Sequence, residues 1–342
     1  MASSVSTRDA ILAYLDRRGS ATSTDLADRL GLTRQAINLH LRRLIDSGEI
    51  VKTGSTRGAK YFPASAAPEP KVFSAQYELQ GLDEGEAYDR IAISLNFARQ
   101  LRPNVRDIVH YAFTEMLNNA IEHSKAKRCR VDVRLEAGRL VFEVRESGIG
   151  VFRSIADKYR LADEHAALIE LVKGKTTTMP EAHSGEGIFF SARAGDRMVI
   201  GSHGIQIEWD RIRDDVFVSE PRFRKGTTVL FEIRRDSRTR LENVFAEFAP
   251  EAYDYQFQKT RVLVKLLQRD YVSRSEAKRL LFNLDKFSEV ELDLRDVKHL
   301  GQGFADEVFR VFASHHPDIH LRAINANKSI AAMIRHVGGT VS

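Results

Sequence analysis

The chain contains a single cysteine, Cys129, so an internal disulfide is excluded. It has no apolar run near the ~20 residues of a membrane span, and none resembling the shorter core of a secretory leader. Internal repeats are absent, and low-complexity sequence is confined to one short alanine-rich stretch. Together these absences predict a cytoplasmic protein held by its own core. What is present fits that expectation: 342 residues, 43% hydrophobic and 29% charged, are enough for two or three domains, and exclude disorder and collagen. Fifty-two basic against 47 acidic residues leave +5. Residues 1–67 alone hold ten Lys/Arg against six Asp/Glu, or +4, which makes nucleic acid a candidate partner for that part only.

Two breaks divide the chain. Residues 64–70 include Pro68 and Pro70, which cannot continue a helix or donate to a sheet, and the charged run Arg234–Arg240 ends a strand-like segment. The expected division is 1–65, a linker at 66–84, 85–235, a second linker at 236–255, and 256–342. In the first piece, Ile11, Leu12 and Leu15, then Leu26 and Leu30, then Ile37, Leu41 and Leu44 recur at helical spacing. Gly31-Leu32-Thr33 forms the tight turn between the second and third helices. Ile50–Lys52, a basic loop over 54–58 and Lys60–Phe62 then read as a β-hairpin. Arg34, Gln35, Asn38 and Arg42 lie opposite the third helix's apolar stripe and suit base edges, while Lys52, Arg57 and Lys60 suit phosphates. The same helices would serve a small protein-interaction module, but helix lengths, turn and basic hairpin agree on double-stranded DNA. Residues 6–63 resemble the winged helix-turn-helix domains of bacterial transcription regulators, which implies a possible homodimer on two half-sites.

In the second piece, residues 103–123 form one amphipathic helix with Pro103 in its first turn. Glu115, Asn119 and His123, spaced by four, share a face. An amide oxygen suits Mg²⁺, and a neighbouring carboxylate suits orienting or deprotonating a nucleophile. That spacing alone is common on solvated helices; the order of the segments downstream of it makes it specific. Two alternating segments, 130–135 and 139–144, run into Glu146-Ser147-Gly148-Ile149-Gly150, where glycines admit a flat ligand and the carboxylate can accept from an exocyclic amine. A polar stretch from Lys173 leads to Ser184-Gly185-Glu186-Gly187, a glycine-rich backbone opening a helix. Lys225-Gly226-Thr227 then places a hydroxyl at the start of a strand.

Residues 85–235 resemble the GHKL (Bergerat) ATPase fold of histidine kinases, gyrase, heat-shock chaperones and mismatch-repair ATPases, and the runs 119–123 and 184–187 resemble its anti-sigma-factor serine kinase branch. The resemblance implies ATP and Mg²⁺, with Glu115 as catalytic base, Asn119 as metal ligand, and Glu146, Gly148, Gly150 and Thr227 around adenine. It also implies an ATP lid over 173–187, bringing Lys173, Ser184, Gly185, Glu186 and Gly187, with His123, to the nucleotide. Glu146 departs from the family's usual aspartate by one methylene.

The last piece alternates strand and helix: 261–267, 276–287, 290–294, 304–313, 319–324 and 330–337. It resembles the STAS-like domains joined to such ATPases, the anti-sigma-factor antagonist fold. The loop that carries a phosphorylatable serine in that family reads His299-Leu300-Gly301-Gln302-Gly303 here, without a hydroxyl. His315, His316 and His320 lack a regular metal motif and are left out as ligands. The expected fold is a multidomain α/β chain of winged helix-turn-helix, GHKL sandwich and STAS-like domain. The expected function is an ATP-binding, DNA-binding transcriptional regulator whose nucleotide state controls DNA or partner binding. Its alternatives are an anti-sigma-type serine/threonine kinase acting on a separate protein, and a DNA-binding protein with an inactive nucleotide fold.

Overall fold

The computed structural model describes residues 6–53, 59–66, 69–175, 185–254, 256–266, 271 and 273–342. The N-terminal unit comprises α1 (Thr7–Arg18), β1 (Ala21–Thr22), α2 (Ser23–Leu30), α3 (Arg34–Asp46), β2 (Ile50–Thr53) and β3 (Lys60–Pro63). Each helix starts on a hydroxyl cap: Ser6 for α1, Thr22 in a capping box with Asp25 for α2, and Thr33 for α3. Ile11, Leu15, Leu26, Ile37, Leu41 and Leu44 form the core, closed by Ile50 and Tyr61 of the hairpin. β1, too short to read from periodicity, pairs with β3 to give the order β1-β3-β2.

The central unit comprises β4 (Lys71–Glu78), α4 (Glu84–Ser94), α5 (Phe97–Gln100), α6 (Pro103–His123), β5 (Arg128–Leu135), β6 (Arg139–Glu146), α7 (Val151–Tyr159), α8 (Glu164–Lys173), α9 (Gly187–Ala194), β7 (Arg197–His203), β8 (Ile205–Asp210), β9 (Asp215–Ser219) and β10 (Arg224–Arg234). Its described strands form one antiparallel sheet, β4-β5-β6-β10-β7-β8-β9, with the last strand in sequence near the middle. α6 buries Val105, Ile108, Val109, Ala112, Phe113, Met116 and Leu117 against it. Phe113 meets Phe142 edge-on at 5.6 Å, and Phe142 stacks on Phe231 at 5.0 Å, which seats the helix over β6 and β10.

Both expected linkers contain structure. Residues 66–84 include β4, an edge strand that turns Phe73, Ala75 and Tyr77 toward the core and Ser74, Gln76 and Glu78 away, with only Tyr77 fully buried. Residues 236–255 include α10 (Leu241–Phe248), whose Val244 and Phe248 join the core, with Phe248 edge-on to Phe189 at 5.0 Å. The flanking charges masked this short apolar stripe.

The C-terminal unit comprises β11 (Lys259–Leu263), α11 (Arg274–Leu281), β12 (Glu289–Asp293), α12 (Gln302–Asp306) continuing through a π-helical stretch (Glu307–Phe312) into α13 (Ala313–His315), β13 (His320–Ile324), α14 (Lys328–His336) and β14 (Thr340–Val341). The parallel order is β11-β12-β13-β14. Val290 and Leu292 face the buried side, while Lys259, Arg261, Glu291 and Arg322 meet on the other. Glu291, 3% exposed, accepts from Arg261 Nε at 2.7 Å and from Arg322, with Lys259 Nζ at 3.5 Å. Burial would raise the Glu291 pKa, but the hydrogen bonds from Arg322 and Arg261 and the nearby cations hold it at about 2, against an ordinary 4.5. The folded pKa is the lower one, so this stabilisation is full above about pH 4.5 and is lost as pH falls toward 2. Acid unfolding followed by circular dichroism should therefore steepen through that window, and Glu291→Gln should flatten it.

Candidate functional site

α6 begins on Pro103 and ends at Ser124, whose hydroxyl donates to Ala120 O at 2.5 Å. The loop after β6 sits directly on that end: Ile149 N–H donates to Ser124 O at 2.8 Å. Gly148 lies so close that a Cβ there would stand 1.9 Å from the same oxygen. The Gly148 N–H also donates back to the Glu146 carboxylate, which absorbs the extra methylene of this glutamate. On the neighbouring strand Gly226, at φ +83°, passes under Glu146, where a Cβ would lie 2.1 Å from Glu146 O. Thr227 is thereby the cross-strand partner of Glu146, and its hydroxyl accepts from Val151 N–H at 3.0 Å.

These elements enclose a cavity of about 180 Å³. Along its helix wall stand Glu115, Asn119 and His123; across from them stand Glu146, Gly150 and Thr227; and Gly185, Glu186 and Gly187 close one rim. Met116, Val144, Ile155, Ile200 and Val229 make the apolar walls. Gly187, the first residue of α9, presses on Glu115, for a Cβ there would stand 1.8 Å from Glu115 Oε2. The cleft therefore offers a carboxylate and an amide oxygen beside a glycine-lined helix start, chemistry for a hard cation and an anion. Between apolar walls it also offers a carboxylate and a hydroxyl, chemistry for a flat polar ring. Tyr111 and Asn118 line it as well and were missed. Tyr111 lies one turn before Glu115, the spacing that could have found it; burial first, then Glu115 and Glu186, pushes its hydroxyl pKa up.

Other expected residues fall elsewhere. Gly148 supports the cleft from behind, while Ser184 and Arg57 lie outside the described residues. Lys173 is not at the cleft. Its side chain is 1% exposed at the junction with the C-terminal unit, and Nζ donates to Glu170 Oε1 at 2.5 Å and Phe282 O at 2.8 Å. Asn283 donates to the second Glu170 oxygen at 2.8 Å, and Thr260 donates to Lys173 O at 2.6 Å. Burial lowers the Lys173 pKa, and Glu170 opposes that shift. An ammonium on α8's last turn is better satisfied here by a carboxylate and chain carbonyls than it would be in the open cleft. Lys175 is fastened likewise, to Lys286 O at 2.7 Å, with its Nζ 4.8 Å from the Phe287 ring centroid.

In the N-terminal unit Arg34, Gln35, Asn38 and Arg42 are exposed on α3, and Lys60 is exposed on β3. Lys52 is not open to phosphate, since it is half-buried and paired with Asp236 of the central unit.

Three family comparisons match the chain in order: winged helix-turn-helix DNA-binding over residues 7–51, histidine kinase-like ATPase domain over 86–208, and a STAS-like domain of unknown function over 276–331. No curated protein matches it. The chain thus joins a winged helix-turn-helix, a histidine kinase-like ATPase domain and a STAS-like domain, the architecture of a DNA-binding, ATPase-type regulator. Among the described residues no helix is long and apolar enough to cross a membrane. The position of Lys173 predicts that Lys173→Ala, which strands the buried Glu170 charge, costs about 3–5 kcal/mol. Urea unfolding checks this, and the paired change Glu170→Met with Lys173→Met should recover most of the loss.

Proposed function

We propose that this chain is an ATP- and DNA-binding transcriptional regulator in which nucleotide occupancy or hydrolysis in the central domain controls DNA or partner binding. The observation that carries the reading is the convergence of Glu115 and Asn119, the Glu186-Gly187 helix start and the Glu146–Thr227 rung on one cleft. The residues fit Mg-ATP: Asn119 brings a neutral amide oxygen for Mg²⁺, and the close approach of Gly187 to Glu115 forms a cradle that a Cβ would fill. Bound there, Mg-ATP supplies a transferable phosphoryl group and the charge that distinguishes it from ADP. Glu115 is the group placed to orient a nucleophile and take its proton. Glu146 and Thr227 are placed to accept from and donate to the base edge. Gly185 and Gly187 offer main-chain N–H groups to phosphate oxygens.

Control of DNA binding then arises as a population shift, since a lid ordered on phosphate favours one arrangement of domains over another. The fastening of Lys173 and Lys175 to the STAS-like domain supports a transmitting role for that domain, because the chain enters the lid region from there. A dimer on two half-sites is the expectation from the winged helix-turn-helix by analogy. Titration of Mg-ATP into the full chain by calorimetry should show binding that Asn119→Ala weakens tenfold or more. Absence of binding at millimolar ATP would refute the reading, as would equal DNA affinity in the apo, ADP and non-hydrolysable ATP states at fixed salt.

A further inference from the structure

The winged helix-turn-helix touches the central domain at a point where two elements of the candidate cleft end. β2 lies across the turn between β5 and β6. A Cβ on Gly138 of that turn would stand 3.4 Å from Lys52 O and 3.8 Å from Val51 Cγ1, so the strand rests on the turn at contact distance. From this seat the Lys52 ammonium pairs with the Asp236 carboxylate.

Asp236 is itself anchored on every side. It lies two residues past β10, and its carbonyl accepts from Arg102 Nη1 at 3.0 Å, Arg102 being the residue that caps α6. Asn104, in the first turn of α6, donates to Ser237 O at 3.0 Å and Thr239 O at 2.7 Å. The preceding residue, Arg235, donates to Glu136 O and Ala137 O, each at 3.1 Å, and to Gln100 O, locking the turn on which β2 rests. Burial alone would raise the Asp236 pKa, but the Lys52 hydrogen bond and charge, with Arg234 and Arg102 nearby, bring it below the ordinary carboxylate range.

Both elements that hold Asp236 run to the cleft. α6 extends from Asn104 to Glu115 over about 16 Å, and β10 from Asp236 back to Thr227 over about 30 Å. We propose that Asp236 is an autoinhibitory latch. It holds the wing's Lys52 against the central domain, withholding a phosphate-binding cation, until a shift of α6 or β10 releases it. The latch rests on the DNA-binding reading of the first domain. Its coupling to nucleotide rests on the function proposed above.

The test measures binding of the full chain to a mixed-sequence DNA duplex across a salt series. Asp236→Asn keeps the residue's shape and removes its charge; it should bind roughly threefold to tenfold tighter, with a log–log salt slope steeper by about one phosphate contact. Lys52→Ala should change little by itself and should abolish the gain in the Asp236→Asn background, a non-additivity that a merely structural contact would not produce. Asp236→Ser serves as the second variant should Asp236→Asn melt early. Unchanged affinity and slope in a folded Asp236 variant would overturn the latch, and so would a Lys52→Ala loss of equal size in both backgrounds. A gain in the Asp236 variants with no nucleotide effect on the wild type would support the latch and remove nucleotide control.

Discussion

Three close approaches of glycine backbone shape the centre of this molecule. Gly148 lies on the last turn of α6, Gly226 passes beneath Glu146, and Gly187 presses on Glu115. Each brings a polar group into the cleft by removing the space between two elements, and each ties a loop to α6 or to the β6–β10 pair. The stacked Phe142 and Phe231 fix that pair beneath the helix, so the polar wall and the apolar floor are set by the same packing.

The two outer domains join this centre by polar contacts of different character. Glu170 and Lys173 are sealed from water, and their remaining hydrogen-bonding capacity is met by Asn283 and by chain carbonyls of the C-terminal domain. This pair lies within α8; what crosses the junction are the hydrogen bonds from Lys173 Nζ to Phe282 O and from Asn283 to Glu170, and parting them would strand buried polar groups. Lys52 and Asp236 keep 23% and 30% of their side-chain surface, where water and salt compete and the net gain is small. The N-terminal junction is therefore the one that can open at modest cost, and it is also the one that carries the DNA-facing domain.

Much of this architecture is legible in the sequence because it is periodic or local. The apolar spacing of α6 predicts its span and the shared face of Glu115, Asn119 and His123, and the caps Thr22 and Thr33 mark the starts of α2 and α3. β4 and α10 are hidden by their position beside the breaks in composition. β4 follows Pro68 and Pro70, and α10 follows the Arg-rich run, so both read as connector although Phe73, Ala75 and Tyr77 alternate and Leu241, Val244, Phe245 and Phe248 keep helical spacing.

The same division holds for individual side chains. Order along the chain determined the three domains, the helix carrying Glu115 and Asn119, and the glycines flanking Glu146 and Glu115, because propensity, period and steric need are local properties. Only the tertiary structure decided where the lysines point. A sequence with Lys173 at a lid's root and Lys52 on a wing places both cations near phosphate. A flexible cation settles on whichever carboxylates and carbonyls the fold brings within reach, and here those are Glu170 of its own helix with Phe282 O of the next domain for Lys173, and Asp236 of the central domain for Lys52.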